Sequence, residues 1–288
     1  MIHTRLAGGL GNQLFQFAAT LALRGESHAG VLLSTDGLRR YAVKRDFDLL
    51  QLLQLPDGCH TDMPGDMPGR LETALLRWRI GRLLPRHGVN DRNFARHLAR
   101  QRSGVARQPL WLDGYFQHGW PTPLFDNVRA RMLAVLRHDL PASRVNNADG
   151  VIHIRGGDFL ASAVHRVVDA GYYLTALTKL RTQLPSMTSV AVVTDDVVHA
   201  APIIDSMQRA QPDLALSLAP PPHAAAGAAW LQDFVLLRDA RARIVGNSSF
   251  AWWAAALDAQ RAPTVSPDQW TRNVPRDLFL PWELAIAV

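Results

Sequence analysis

The chain is constrained most by its sequence beyond residue 150, where short apolar runs alternate with longer helical patterns. The runs are Val151-Ile152-His153-Ile154, Val190-Ala191-Val192-Val193 and Ile244-Val245; the helical patterns between them are Tyr172 to Leu184 and Trp230 to Arg238. Runs this short and this apolar are buried on both faces, which strands achieve when they lie parallel in a sheet covered by helices. The pattern therefore predicts an α/β fold. In open sheets of this kind ligands bind beyond the carboxyl ends of the strands, so the residues just after each run are the candidates for chemistry.

The amino-terminal half is harder to read, but it too opens with a strand, a glycine turn and a helix. Between the halves, the polar stretch from His138 to Gly150 reads as a domain boundary, placed at 145/146. A second loop, Ala219-Pro220-Pro221-Pro222-His223, leads into a helix. With 288 residues and 48% hydrophobic content, the chain has enough apolar surface for one large core or two modest domains, which excludes disorder.

A single cysteine, Cys59, excludes an internal disulfide and a multi-cysteine zinc site. The opening residues Met1 to Leu6 lack a charged region followed by an apolar stretch, and no run of about 18 apolar residues occurs. The expectation is a cytoplasmic protein. Net charge is +6, and residues 70–107 concentrate it, with Arg70, Arg77, Arg79, Arg82, Arg86, Arg92, Arg96, Arg100, Arg102 and Arg107 against Glu72 and Asp91. This segment is either a solvated helix face or a patch for an anionic membrane surface, placing the protein peripherally on the inner face. Nucleic acid is not expected as a partner, since no interleaved aromatic platform accompanies the charge.

Four segments carry candidate chemistry. In Ala7-Gly8-Gly9-Leu10-Gly11-Asn12-Gln13 the glycines allow a tight turn and close approach of a ligand before a helix. The pattern lacks the lysine of a P-loop and has Leu14 where a dinucleotide fingerprint needs glycine. In His153-Ile154-Arg155-Gly156-Gly157-Asp158 the guanidinium can grip a diphosphate, the histidine can bond a base or sit satisfied in the core, and Asp158 is a base or an orienter of Arg155. The run ending in Asp195-Asp196 reads a guanine edge or caps a helix. In Gly246-Asn247-Ser248-Ser249-Phe250 the free amides of a helix start and the serine hydroxyls can hold a phosphate or serve only as a cap. No third ligand joins Asp195 and Asp196, and Asp46-Phe47-Asp48 looks like ordinary packing, so no metal site is expected.

Taken in order, these segments resemble the α-1,2-fucosyltransferases of glycosyltransferase family 11 over nearly the whole chain. Gly8 to Gln16 is similar to the family's opening, Gly114-Tyr115-Phe116-Gln117 to its middle segment, and Asp233-Phe234 with Gly246 to Ala255 to its final block. The resemblance implies a GT-B architecture: two Rossmann-like domains facing each other across a cleft, residues 1–145 on the acceptor side and 146–288 holding a GDP-sugar. It also implies an inverting reaction without metal or cofactor, with GDP-fucose as donor and a glycan or lipid-linked oligosaccharide as acceptor. Arg155 would hold the diphosphate, and His153 and Asp196 would meet guanine. Asp195, Asn247, Ser248, Ser249 and Phe250 complete the nucleotide-sugar set, and Gly9, Gly11, Asn12 and Gln13 form a loop bordering the cleft. The family usually has a second arginine where this chain has Gly156, and tyrosine is common where it has Phe159; Arg166 is the candidate to compensate. Competing readings keep the enzyme with another GDP-sugar, or make the chain a non-catalytic binder of anionic glycolipid or nucleic acid through residues 70–107.

Overall fold

The computed structural model describes residues 1–40, 45–62, 88–102, 110–143, 148–165, 167–222, 228–272 and 274–288. The chain divides into two compact units, residues 1–138 and 139–288. This division falls ahead of the 145/146 boundary expected from sequence, because backbone pairing carries the first unit to its limit. Leu136 bridges Leu53, and Arg137 N donates to Leu52 O at 3.0 Å.

Unit 1 is built on a parallel sheet of β1 (Ile2–Arg5), β2 (Val31–Ser34), β3 (Cys59–Thr61), β4 (Gly88–Val89) and β5 (Leu110–Leu112), in the order β3-β2-β1-β5-β4. Its described helices are α1 (Leu10–Arg24), α2 (Asp36–Arg40), α3 (Leu49–Leu52), α4 (Phe94–Arg102) and α5 (Thr122–Ala134). Helix α1 is buried along nearly its whole length, as its Leu14, Phe15, Phe17, Ala18 and Leu21 require. Arg131 of α5 donates to Leu21 O at 2.9 Å and ties the two helices together.

Unit 2 carries six parallel strands in the order β13-β10-β9-β6-β7-β8. They are β6 (Gly150–Ile154), β7 (Ser189–Thr194), β8 (Ala215–Leu218), β9 (Arg243–Val245), β10 (Thr264–Pro267) and β13 (Glu283–Ile286); a small antiparallel pair, β11 (Gln269–Thr271) and β12 (Val274–Pro275), stands apart. The helices are α6 (Ala170–Gln183), α7 (Val197–Ala210), α8 (Ala229–Arg238) and α9 (Ser249–Ala256). Alternation along β6 sends Ile152 and Ile154 into the core with Tyr173, Leu177 and Ile203 of α6 and α7. His153 points the other way, toward Phe250 of α9, ring centroids 6.2 Å apart. Helices thus cover both faces.

Each sheet has a topological switch point. In unit 1 the chain runs from β1 outward through β2 and β3, resumes with β4 at the opposite edge and ends with β5 between β4 and β1; in unit 2 it runs from β6 through β7 and β8, returns with β9 on the other side of β6 and continues outward to β10 and β13. Where two crossover connections leave adjacent strands in opposite directions, a crevice opens at their carboxyl ends. The loops after β6 and β9 frame it in unit 2, and those after β1 and β5 frame it in unit 1.

The far side of unit 2 is closed by a buried ion pair, Arg276 with Glu283 at 2.7 Å. Arg276 also donates to Pro267 O and Ser266 Oγ, both at 2.8 Å, and lies over Trp270 at 4.2 Å, while Glu283 accepts from Trp252 Nε1 at 3.0 Å. These contacts couple β13 to α9, and through α9 to the crevice.

Candidate active site

The unit 2 crevice is built outward from β6. His153, its fourth residue, is 5% exposed, and its Nδ1 has no hydrogen-bond partner among the described residues. Burial drives its pKa down from 6.5 to about 4, with Arg155 adding to the fall and Asp195 opposing it. The ring is therefore neutral at pH 7, one nitrogen a donor and the other an acceptor, which suits the edge of a nucleobase.

Arg155 follows the strand and is one-fifth exposed at its side chain. Its guanidinium forms ion pairs with Asp195 at the end of β7 and with Asp158 in the next turn. It lies over the Phe159 ring, 4.5 Å from the centroid, and Phe159 stacks in turn on His165 at 4.0 Å with 17° between planes. His165 is anchored by Ser162 Oγ at Nδ1, 2.9 Å away, and by backbone pairing with Thr271. The guanidinium is held on a column of rings.

Gly156 and Gly157 let this loop lie against the two aspartates. Gly157 has φ +52°, and a Cβ there would come within 2.8 Å of Asp195 Oδ2; one on Gly156 would come within 2.7 Å of Asp196 Cβ and 3.1 Å of His199 Cδ2. A second arginine therefore cannot be built at Gly156 on this backbone. Arg166, the candidate substitute, lies outside the described residues. Asp196 caps α7, its side chain accepting from His199 N at 3.0 Å, and this bond above all holds its carboxyl below the usual range.

The third wall is the start of α9. Gly246 sits so tightly that a Cβ would meet Tyr173 Oη at 2.8 Å. Ser248 caps the helix, accepting from Ala251 N at 3.4 Å, while Ser249 and Phe250 are half-buried. Asn247 is 2% exposed and donates from Nδ2 to Trp270 O at 3.3 Å; its Oδ1 has no partner among the described residues. The amino terminus of α9 follows β9 at the crevice end of the sheet, where the helix dipole favours an anion.

In unit 1 the glycine loop divides. Gly8, at φ +80°, makes the turn, Gly9 is open around its Cα, and Asn12 is half-buried with its Oδ1 accepting from Gln117 Nε2 at 3.0 Å. Gly11, Asn12 and Gln13 lie not in a loop but in the first turn of α1. Gly11 is buried within α1, and Gln13 is fully buried with its amide spent on backbone: Nε2 donates to Asp46 O at 2.9 Å and Gly8 O at 3.2 Å, and Oε1 accepts from Asp48 N at 3.2 Å and Leu49 N at 3.3 Å. The expectation of a loop at these three positions is corrected on that ground.

Sequence reading missed three supports of these sites. Gln16 accepts from Ala7 N and donates to Gly114 O, both at 3.0 Å, and Asp91 accepts from Phe116 N at 2.5 Å, fixing Phe116 at φ +54°. His199 packs on Gly156 with its Nε2 buried and unpartnered among the described residues. Gln16 stood at the end of the Gly8–Gln16 segment and His199 three residues after the capping Asp196, while Asp91 carried no signal. Among the described residues no group of three or more His, Cys, Asp or Glu side chains is arranged to hold a metal ion.

A sequence profile of glycosyl transferase family 11 matches residues 97–276, more than half of the chain. The chain belongs to glycosyltransferase family 11. It is accordingly a glycosyltransferase. It is 23% identical to an alpha-1,2-colitosyltransferase of Escherichia coli, over 98% of this chain and 96% of that protein. Among solved structures it is similar to POFUT1 in complex with GDP-fucose, at TM-score 0.51 and 11% identity, covering 92% of this chain and 97% of that one. Fucosyltransferase NodZ from Bradyrhizobium aligns at TM-score 0.47 and 15% identity, over 88% and 91% of the two chains. The two parallel-sheet units, with the POFUT1 likeness, give the fold class as GT-B, with a Rossmann-like domain in each unit.

Proposed function

We propose that this chain transfers L-fucose from GDP-β-L-fucose to a glycan hydroxyl, a galactoside O-2 in bacterial-type surface polysaccharide, with inversion to an α-1,2 linkage and without a metal ion. The observation that carries this reading is the convergence of Arg155, the Gly156–Gly157 loop and the start of α9 at the β6/β9 switch point. In the reaction the acceptor oxygen bonds to the anomeric carbon as the bond to the diphosphate breaks, so negative charge gathers on departing GDP. Arg155 and the amino terminus of α9 stabilise that charge. Neutral His153 and Asp196 read guanine, and Asp158, 43% exposed at its side chain, accepts the hydroxyl proton.

GDP and GDP-fucose are ligands of the similar POFUT1 structures, which supports a guanosine diphosphate donor. The colitosyltransferase relative favours a second reading of the sugar alone, since colitose is L-fucose without its 3-hydroxyl. The acceptor is a glycan or a lipid-linked oligosaccharide, and the reading places the protein in the cytoplasm, with the arginine-rich segment 70–107 touching the anionic inner face of the membrane. Most of that segment lies outside the described residues, and no described helix is long and apolar enough to cross a membrane.

Calorimetric titration with GDP, UDP and CDP in EDTA tests the donor site. GDP alone binds if the reading holds; folded protein that ignores GDP overturns it, and points to the non-catalytic binder. Initial rates with GDP-fucose and GDP-colitose then decide the sugar.

A further inference from the structure

The carboxylate of Asp195 takes one edge of the Arg155 guanidinium, the group that the proposed function sets against the departing diphosphate. Its Oδ1 accepts from Gly156 N at 2.8 Å and its Oδ2 from Arg155 Nη1, so a backbone amide and a guanidinium converge on one carboxylate. This is the donor set that binds phosphate oxygens elsewhere. The loop is shaped around it: Gly157, at φ +52°, would bring a Cβ within 2.8 Å of Asp195 Oδ2, so only glycine lets the carboxylate lie there.

Asp158 takes Nη2 of the same guanidinium, so Arg155 is one cation shared between two carboxylates. A diphosphate arriving there is repelled by Asp195 while it is attracted by Arg155. The same carboxylate nevertheless fixes the plane of the guanidinium, and with Phe159 beneath it Arg155 is constrained from the side and from below. Tight geometry and weakened charge come from one residue.

We infer that Asp195 is a positioning residue for the transfer: it orients Arg155 toward the departing diphosphate and, through its own charge, lowers the affinity of the site for GDP. This rests on the GDP-donor reading and replaces a nucleobase contact with an electrostatic one for Asp195. Orientation acts on the transition state, where the diphosphate carries its new charge, while repulsion acts on ground-state donor and on product. Removing the charge while keeping the shape therefore moves affinity and turnover in opposite senses.

Asp195→Asn keeps an acceptor oxygen for Gly156 N and removes the charge. Titration with GDP is expected to give a Kd lower by roughly three- to tenfold, the effect of one partly screened charge, while kcat for transfer from the GDP-sugar falls by about tenfold. Asp195→Glu keeps the charge and shifts the carboxylate, so kcat falls and GDP binding does not tighten. Should the asparagine variant fold poorly, Asp195→Ser removes the same charge and gives the same sign of change in Kd. Asp195→Asn binding GDP more weakly than wild type, or Asp195→Glu tightening it as much as Asp195→Asn, overturns the inference and leaves the donor reading standing. Wild-type protein that does not bind GDP overturns both.

Discussion

The two units differ in the chemistry that holds the loops at their central strands. At β1 and β5, amide side chains do the holding: Gln13 and Gln16 are spent on backbone groups and Asn12 pairs with Gln117. At β6 and β7, charges do it, with Arg155 drawn between Asp158 and Asp195. A saturated amide fixes a loop and presents little; a guanidinium shared between carboxylates remains able to exchange partners. The first arrangement fixes the backbone around it; the second leaves a cation that an anion can reach.

The sharpest attempt to break this contrast is Arg155→Ala. Turnover is expected to drop about 10²–10³-fold with the melting temperature nearly unchanged, measured as initial rates beside a thermal scan; a folded variant that keeps most of its rate removes the charge-based role. Gln13→Ala is expected to do the reverse. It leaves four backbone partners without the amide and costs about 2–4 kcal/mol in urea unfolding, while GDP affinity stays at the wild-type level. If Gln13→Ala instead spares stability and weakens substrate use, the amide switch point is functional after all.

A third test uses proton linkage. His153 has its folded pKa lowered from 6.5 to about 4, so between those values the unfolded chain binds a proton that the folded chain refuses. Stability from this group is therefore complete above about pH 6.5 and falls as the pH drops toward 4, by on the order of 3 kcal/mol. His153→Gln should flatten that slope in chemical denaturation between pH 4 and pH 7; an unchanged slope assigns it to other groups. The smallest effect is expected for Ser248→Ala, which removes the α9 cap at a cost of about 1 kcal/mol. Weakened GDP binding beyond that loss would add a phosphate contact to the cap.

Much of unit 2 was legible because its central strands announce themselves. Val151 to Ile154 and Val190 to Val193 are apolar runs, and the residues after them, Arg155 and Asp195, lie where parallel sheets place ligands. The caps at Asp196 and Ser248 could be read as caps, since that role is local. Unit 1 was obscure because its strands are only two to four residues long, too short for periodicity to register. Gln13 looked like a loop residue because nothing near it in sequence reveals that Asp46, Asp48 and Leu49 come to meet its amide. Gly156 likewise read as a missing arginine, whereas the fold puts Asp196 and His199 against it. The Arg276–Glu283 pair could not be read at all, since the burial of both charges is created by tryptophans from other elements.

Strand order also sets a timetable. The pairs that frame the two crevices, Ile2 with Leu110 and Val151 with Arg243, join residues far apart in sequence, whereas β1–β2 and β6–β7 join much nearer ones. Closing the longer loops costs more chain entropy, so sheet growth on the near side is expected to precede them. Pulse-labelled hydrogen exchange during refolding would then protect β7 amides before those of β9. An intermediate holding β6, β7 and β8 would possess Arg155 and Asp195 but no wall at Ser248, so a working donor site reports that the slowest pairing has been made.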